Sequence, residues 1–296
     1  MAFDADEMRR EDAVRDPKCK FALYVAERDG HTVGVGGHDQ PISSYNPRLF
    51  YLNLYVDPDA RGRGVGTALY QHVHEAVSEY RPAILRNTAL VKEGDEASSR
   101  FAKVRGFRED KQIFESHLDV ANFDPTPYEG LEPSLTAQGI TFTSLKDLRD
   151  HDPHGDRKFY DLFAEVRRDV PRTEPATDIP FERFVDLAYN DDDFLQEYTL
   201  VAMDGDACVG LSGVYQNEIR GGWDNGLTGV RREYRGRGIA LALKVKSITT
   251  AKALGVPLLV TDNDSTNAPM LRVNTKLGFV RQPAWLSVVW RLEPAA

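Results

Sequence analysis

Short runs of alternating apolar and polar residues give way to a helical apolar stripe, and this happens twice along the chain in the same order. In the first half, FALYVAERDG and HTVGVGG read as two strands around a turn at Asp29-Gly30, and FYLNLYV as a third. RGRGVGTALYQHVHEAVSEY then places Val65, Leu69, Val73 and Val77 at helical spacing. AILRNTALV reads as a strand, and EASSRFAKVRGF as a short helix stopped by Gly106. In the second half, EYTLVAMDGD and ACVGLSGVYQ form a hairpin turning at Asp204-Gly205, followed by the strand WDNGLTGV. RGRGIALALKVKSITTAKALG is a helix with Leu241, Val245 and Ile248 on one face; PLLVTDND is a strand, and NAPMLRVNTKLGF a helix capped by Gly278.

The two halves share a numerical register. Gly64 matches Gly238, 174 residues on, and Phe107 matches Phe279, 172 residues on. So small a drift over more than forty residues marks a duplication with one loop change. Between the copies, Asp119 to Gly139 holds Pro125, Pro127, Pro133, Gly130 and Gly139 without a sustained apolar period, which is linker chemistry. The expected division is therefore an N-terminal domain over 1–120, a linker over 121–139 and a C-terminal domain over 140–296. The second half also carries ITFTSL, KFYDLFAEVRRDV and FERFVDLAYN ahead of its hairpin, where the first half has only about twenty residues. The expectation is that the first domain is shortened at its start, lacking a strand or a helix, or that the sequence starts late, and that the first half leans on the second to cover its sheet.

Composition narrows the function classes. The 296 residues suit two domains, and 41% apolar with 28% charged residues suits soluble cores. No apolar run reaches a membrane span, and the start MAFDADEMRREDAVRDP is charged rather than signal-like, so the expectation is a cytoplasmic protein without a membrane partner. A net charge of −9 argues against nucleic acid and is compatible with a cationic substrate. Cys19 and Cys208 fall in different halves, which disfavours a structural disulfide. His151 and His154 sit in a loop without a matching ligand cluster, and no metal is expected.

The sharpest motif is Arg61-Gly62-Arg63-Gly64-Val65-Gly66 and its copy Arg235-Gly236-Arg237-Gly238-Ile239-Ala240. Each follows a strand and opens a helix, whose first N–H groups are unpaired and whose dipole favours negative charge. Glycines let a phosphate approach those N–H groups, and arginines add charge-assisted bonds. A nucleotide P-loop is excluded by the missing Gly-Lys-Ser/Thr ending, and a dinucleotide fingerprint by the G-x-G-x-G spacing.

The pattern R-x-x-G-x-G/A after strands ending in Val56 and Val230 resembles the acetyl-CoA signature of the GNAT superfamily of N-acetyltransferases. NAPMLRVNTKLGF is similar to that family's later helix, ending in Leu-Gly-Phe. The resemblance covers roughly 20–118 and 140–292. It implies an α/β fold with a mixed, mostly antiparallel sheet in each of two tandem GNAT-like domains. It also implies acetyl-CoA as cofactor, with CoA as product. The backbones of Leu54, Val56, Thr228 and Val230 would pair with the pantetheine arm. Arg61, Gly62, Arg63, Gly64, Val65, Gly66 and Thr67, and likewise Arg235, Gly236, Arg237, Gly238, Ile239, Ala240 and Leu241, would hold the pyrophosphate. Asn267 would contact the arm near the acetyl end.

Neither half carries the tyrosine that many members use to protonate the leaving thiolate: Asn274 and Ala102 stand there. The glutamate many members use as base is also missing, and Asp224 is the nearest carboxylate on that strand of the second half. Asp262 and Asp264 end the strand facing the expected splay, where a carboxylate can orient an amine, and N-capping of the following helix by Asp264 is an equal alternative. The first half has Asp95 in place of Asn267. The expectation is direct attack of a small-molecule or peptide primary amine on the thioester in the C-terminal domain. Asp224 would act as base, its pKa raised by burial, and Asn274 would order a water for the thiolate. A second reading is an acyl-CoA-binding or sensing module without turnover. Neither the acceptor nor the oligomeric state is legible.

Overall fold

The computed structural model describes residues 15–172 and 174–292; the charged stretch over 1–14 lies outside them. β1 (Phe21–Arg28) and β2 (His31–Asp39) form an antiparallel hairpin. Its two-residue turn places Asp29 at φ 52° and Gly30 at φ 78°, the left-handed pair that matches strand twist. β3 (Leu49–Val56) runs antiparallel to β2, and β4 (Ile84–Lys92) runs parallel to β3. The crossover between the parallel strands is α1 (Val65–Ser78), whose Val65, Leu69, Val73 and Val77 are all buried against the sheet. α2 (Glu96–Lys103) follows β4, with Asp95 accepting from the Ser98 amide at its N-terminus.

β5 (Arg108–Asp119) leaves this unit: the structure divides between Gln112 and Ile113. The second unit then builds α3 (Leu131–Thr136), β6 (Ile140–Ser144), α4 (Leu145–His151), α5 (Gly155–Arg168) and α6 (Phe181–Tyr189). β7 (Leu200–Asp204), β8 (Ala207–Asn217), β9 (Gly222–Val230), α7 (Ile239–Ala253), β10 (Leu258–Asp264), α8 (Ala268–Lys276) and β11 (Val280–Arg281) complete it. Its main sheet order is β5-β10-β9-β8-β7-β6, antiparallel except for β9 and β10. α7 packs on one face through Ile239 and Leu243, and α5 and α6 cover the other through Phe159, Leu162, Val166 and Phe184.

The chain then returns. β12 (Trp285–Arg291) pairs antiparallel with β4, so the first unit comprises Met1–Gln112 with Trp285–Ala296 and the second Ile113–Ala284. Its strand order is β1-β2-β3-β4-β12. The first and second units thus differ from the division at 120 and 140 drawn from the sequence. The stretch expected to be a linker also belongs to the second unit's core. Phe123 and Leu135 are buried, Tyr128 stacks on Phe123 at 5.9 Å, and the Tyr128 hydroxyl donates to the Lys276 carbonyl at 2.8 Å. Its prolines and glycines punctuate turns too short to show a period.

Among the described residues the first unit has no counterparts of α5 and α6. On the sheet face away from α1, Phe21, Leu23, Val25 and Tyr55 are 39%, 45%, 58% and 56% exposed. Among the described residues no helix is long and apolar enough to cross a membrane.

Val288, buried on β12, packs with Leu85, Val91 and Phe107 of the first unit's core. Val288→Ala is expected to cost about 1–3 kcal/mol. Amide exchange should then rise in β4, although it lies about 200 residues upstream in the chain. A rise confined to β7 and β8 would contradict the assignment of β12.

Candidate active site

The parallel strands β3 and β4 pair only over Leu49↔Ile84, Phe50↔Leu85 and Tyr51↔Arg86, and then part. Asn87 marks the fork: its Nδ2 donates to the Leu52 carbonyl at 2.7 Å. Beyond it the edge of β3 facing β4 is open, and a cleft of about 820 Å³ extends from Leu52, Leu54 and Val56 to the glycine-rich loop. Gly62 and Gly64 have φ 72° and 87°, and a Cβ built on either meets nothing within 4 Å. α1 starts there without a side-chain cap, so its first-turn N–H groups are left for an outside acceptor. An uncapped helix start, open space over two glycines and an unpaired strand edge fit an extended phosphorylated ligand such as an acyl-CoA.

Arg61 lines the cleft and is also anchored to the strand before it. Its Nε donates to the Val56 carbonyl at 3.1 Å and fixes the bend between strand and loop. Arg235 repeats this with the Val230 carbonyl at 3.0 Å and also pairs with Asp169. Val65, Gly66 and Thr67 form the first turn of α1. Several lining residues escaped the sequence reading. Tyr70 lies one turn beyond the loop. Arg105 stacks 3.4 Å over Phe101 and donates to the Thr67 hydroxyl at 3.0 Å. Trp285 comes from β12. The signal for Arg105 was its place before Gly106-Phe107; Trp285 had none, because it is recruited from the far end of the chain.

The second unit has the same loop. Gly236 and Gly238 adopt φ 78° and 93°, and α7 also starts without a side-chain cap. The space around this loop is different. A Cβ on Gly238 would meet Leu131 of α3 at 3.1 Å. Ile239 is buried, Ala240 packs against the same cluster, and Leu241 packs against the core. Lys244, the register match of Tyr70, is fully buried, with Nζ donating to Asn225 Oδ1 at 3.1 Å and lying 4.9 Å over the Phe279 ring. Burial pushes its pKa down to about 7. At the fork, Thr261 Oγ1 donates to the Asn225 carbonyl at 3.2 Å. Thr228 exchanges a hydroxyl hydrogen bond with Ser212 at 3.0 Å. Side chains thus stand at positions matching those that border the open cleft of the first unit.

Asp224 and Asn274 are not brought together. Asp224 borders a separate 510 Å³ pocket with Glu115, Asp191, Asp193, Arg220 and Asp262, and both its oxygens accept from Asn217 Nδ2 at 3.0 Å. Arg220 binds Glu115 at 2.7 and 2.8 Å. Burial, then Glu115 and Asp224, raise the Asp262 carboxyl. Asn274 is instead buried in a polar chain, donating to Asn263 Oδ1 at 2.7 Å, while Asn263 donates to Ser116 Oγ at 3.0 Å. Asn267 caps α8 by accepting from the Met270 amide at 3.3 Å, so its carbonyl oxygen is already used. Asp264 accepts from Thr266 in the preceding turn rather than capping the helix. Among the described residues no group of His, Cys, Asp or Glu is arranged to hold a metal ion.

Lys244 has a pH signature. Folded, its amine is neutral above about pH 7; unfolded, it stays protonated to about pH 10.4. Between those values the unfolded chain binds the extra proton, so this lysine makes stability rise with pH. In Lys244→Met, urea midpoints should lose that rise relative to the parent protein. An unchanged difference between pH 7 and 10 would contradict a buried neutral amine.

Comparison with known proteins agrees with this architecture. Residues 20–109 and residues 147–280 each match a family of acetyltransferase (GNAT) domains, and together they cover more than half of the chain. No curated protein matches. Among solved structures, a GCN5-related N-acetyltransferase from Sphaerobacter thermophilus has 23% identity and a TM-score of 0.71, over 99% of this chain and 87% of that one. A tandem GNAT protein from the clavulanic acid biosynthesis pathway has 20% identity and a TM-score of 0.69, over 98% and 88%. With a GNAT domain matched in each half and a fold shared end to end with tandem GNAT structures, this chain belongs to the GNAT acetyltransferase family as a tandem, two-domain acyltransferase.

Proposed function

We propose that the protein binds acetyl-CoA in the first unit and transfers the acetyl group there to a primary amine of a small molecule or peptide. The observation that carries this reading is the contrast between the two forks. The β3–β4 fork opens into an 820 Å³ cleft beside an unobstructed glycine loop. At the second, Leu131 covers Gly238, and Lys244 is buried at the position of Tyr70. On this reading the chemistry belongs to the N-terminal domain rather than to the C-terminal one that the sequence favoured, and Asp224 and Asn274 take no part in it.

Within the cleft, the N–H groups of Val65, Gly66 and Thr67 would receive the pyrophosphate, while Arg63, Lys92 and Arg105 add positive charge. Leu54 and Val56 would pair through their backbones with the pantetheine amides. Holding thioester and amine at one fork supplies the proximity that direct attack needs, and no covalent enzyme intermediate is required. Ala102 offers no proton to the leaving thiolate, so that proton comes from solvent. The same Ala102 is the feature that favours the second reading, an acyl-CoA sensor without turnover. Thiol release across a panel of amines separates the two.

Calorimetry should give one CoA per chain. Gly64→Val, which adds a branched side chain at φ 87°, should weaken binding at least about 30-fold. Gly238→Val should leave the affinity within about threefold. Two equivalent sites, or loss of binding in Gly238→Val with Gly64→Val unaffected, would return the site to the second unit.

A further inference from the structure

Asp39 is the last residue of β2, and nothing in the motif points to it. Its Cα partner on β3 is Tyr51, so Asp39 and Tyr51 share a face of the sheet, and Asn53, two residues on, shares it too. This is the face away from α1. Asn53 Nδ2 donates to Asp39 Oδ1 at 2.8 Å. On its other side, Asn53 Oδ1 accepts from Asn87 Nδ2 at 3.3 Å, and Asn87 is the residue at the fork that borders the cleft. A hydrogen-bonded chain therefore runs from the point where the strands part, across β3, to a half-buried carboxylate. The second oxygen of Asp39 accepts no hydrogen bond among the described residues.

We propose that Asp39 is the proton acceptor for the attacking amine in the first unit, linked to the fork through the positioning residues Asn53 and Asn87. The inference rests on the reading of the first unit as the acyl-CoA site. The acceptor approaches from the face away from α1. An incoming ammonium first yields one proton to solvent. The neutral nitrogen then forms a bond to the acyl carbon, and its surplus proton passes to the Asp39 carboxylate. The carbon–sulfur bond breaks with its electron pair on sulfur, and the thiolate takes a proton from solvent. Asp39 returns its own proton to solvent, for a net release of one proton per turnover when the amine starts charged.

The environment of Asp39 suits that role. Burial pushes its carboxyl up to about 6, while the Arg15 guanidinium and the Asn53 hydrogen bond pull against that rise. The other groups around it are Cys19, just before β1 and coupled to the Asp39 charge; Phe21, its register partner on β1; and Tyr51 on β3. A base with a pKa near 6 is ionised at neutral pH, yet is a stronger proton acceptor than an ordinary aspartate.

The test uses the full-length chain, its Asp39→Asn variant and Asn53→Ala. Three readouts are needed. CoA affinity is measured by calorimetry. Thiol release from acetyl-CoA is followed with spermidine, tyramine, glucosamine and glycylglycine from about pH 5 to 9. The Asp39 carboxyl carbon is titrated by NMR in the CoA complex and without it. Asp39→Asn should bind CoA within about twofold of the parent and lose at least about 100-fold in kcat. In the parent, kcat should rise with pH through a midpoint near the NMR titration of Asp39, at about 6. Asn53→Ala should shift both midpoints together. An Asp39 carboxyl titrating near 4, or an Asp39→Asn variant that keeps both kcat and the acid limb, would overturn the assignment while leaving the cleft reading in place. A parent chain that binds no CoA would overturn the cleft reading itself.

Discussion

Two parallel strands that pair for three rungs and then separate set the terms for everything else in this protein. Separation leaves backbone N–H and C=O groups facing one another across a gap too wide to bridge, and such groups must find partners. In the first unit the fork is closed at its root by Asn87 on the Leu52 carbonyl and stays open above it. In the second, Thr261 takes the Asn225 carbonyl, and Lys244, Asn225 and Ser212 form a buried polar cluster beside it. The same topological event leaves an open cleft in one copy and, in the other, a buried polar cluster beside the fork with Leu131 close to the loop. The difference is made by Leu131 on α3, Lys244 on α7, and Asn225 and Thr261 on β9 and β10.

The buried polar cluster has its own costs. Burying a lysine disfavours its charged form, and the Lys244 pKa is pushed down to about 7 while its Nζ donates to Asn225 Oδ1. Leu131 reaches the loop from α3, in a stretch whose prolines and glycines suggested nothing more than a connector. The exchange of strand ends has a related effect. β5 passes into the second unit, while β12 joins β4 and brings Trp285 and Val288 to the first unit's cleft. The first unit therefore depends for its binding site on the last residues of the second half of the sequence.

How much of this was legible follows from the range of each interaction. The loops were readable because a glycine at positive φ, between a strand and a helix, is a local requirement that Gly62, Gly64, Gly236 and Gly238 all meet. The duplication and the element order were readable from period and register, while the exposure of Phe21, Leu23, Val25 and Tyr55 on one sheet face follows their alternation along β1 and β3. The destination of β12 was not, since alternation in WLSVVWR fits either sheet equally well. Asp39 was hidden because its partners Asn53 and Asn87 lie on other strands, 14 residues on and further. The crowding in the second unit was hidden for a different reason. The motif is intact there, and the residues that distinguish it, Leu131 against Gly238 and the buried Lys244, lie outside it.

The central claim is that one fork is open to an acyl-CoA and the other is not. Amide hydrogen exchange on the intact chain, with and without saturating CoA, tests it residue by residue. The account predicts new protection at Gly62 to Thr67 and along Leu52 to Val56, with exchange at Gly236 to Leu241 and Leu227 to Val230 unchanged. Equal protection at both loops, or protection at the second alone, would contradict it.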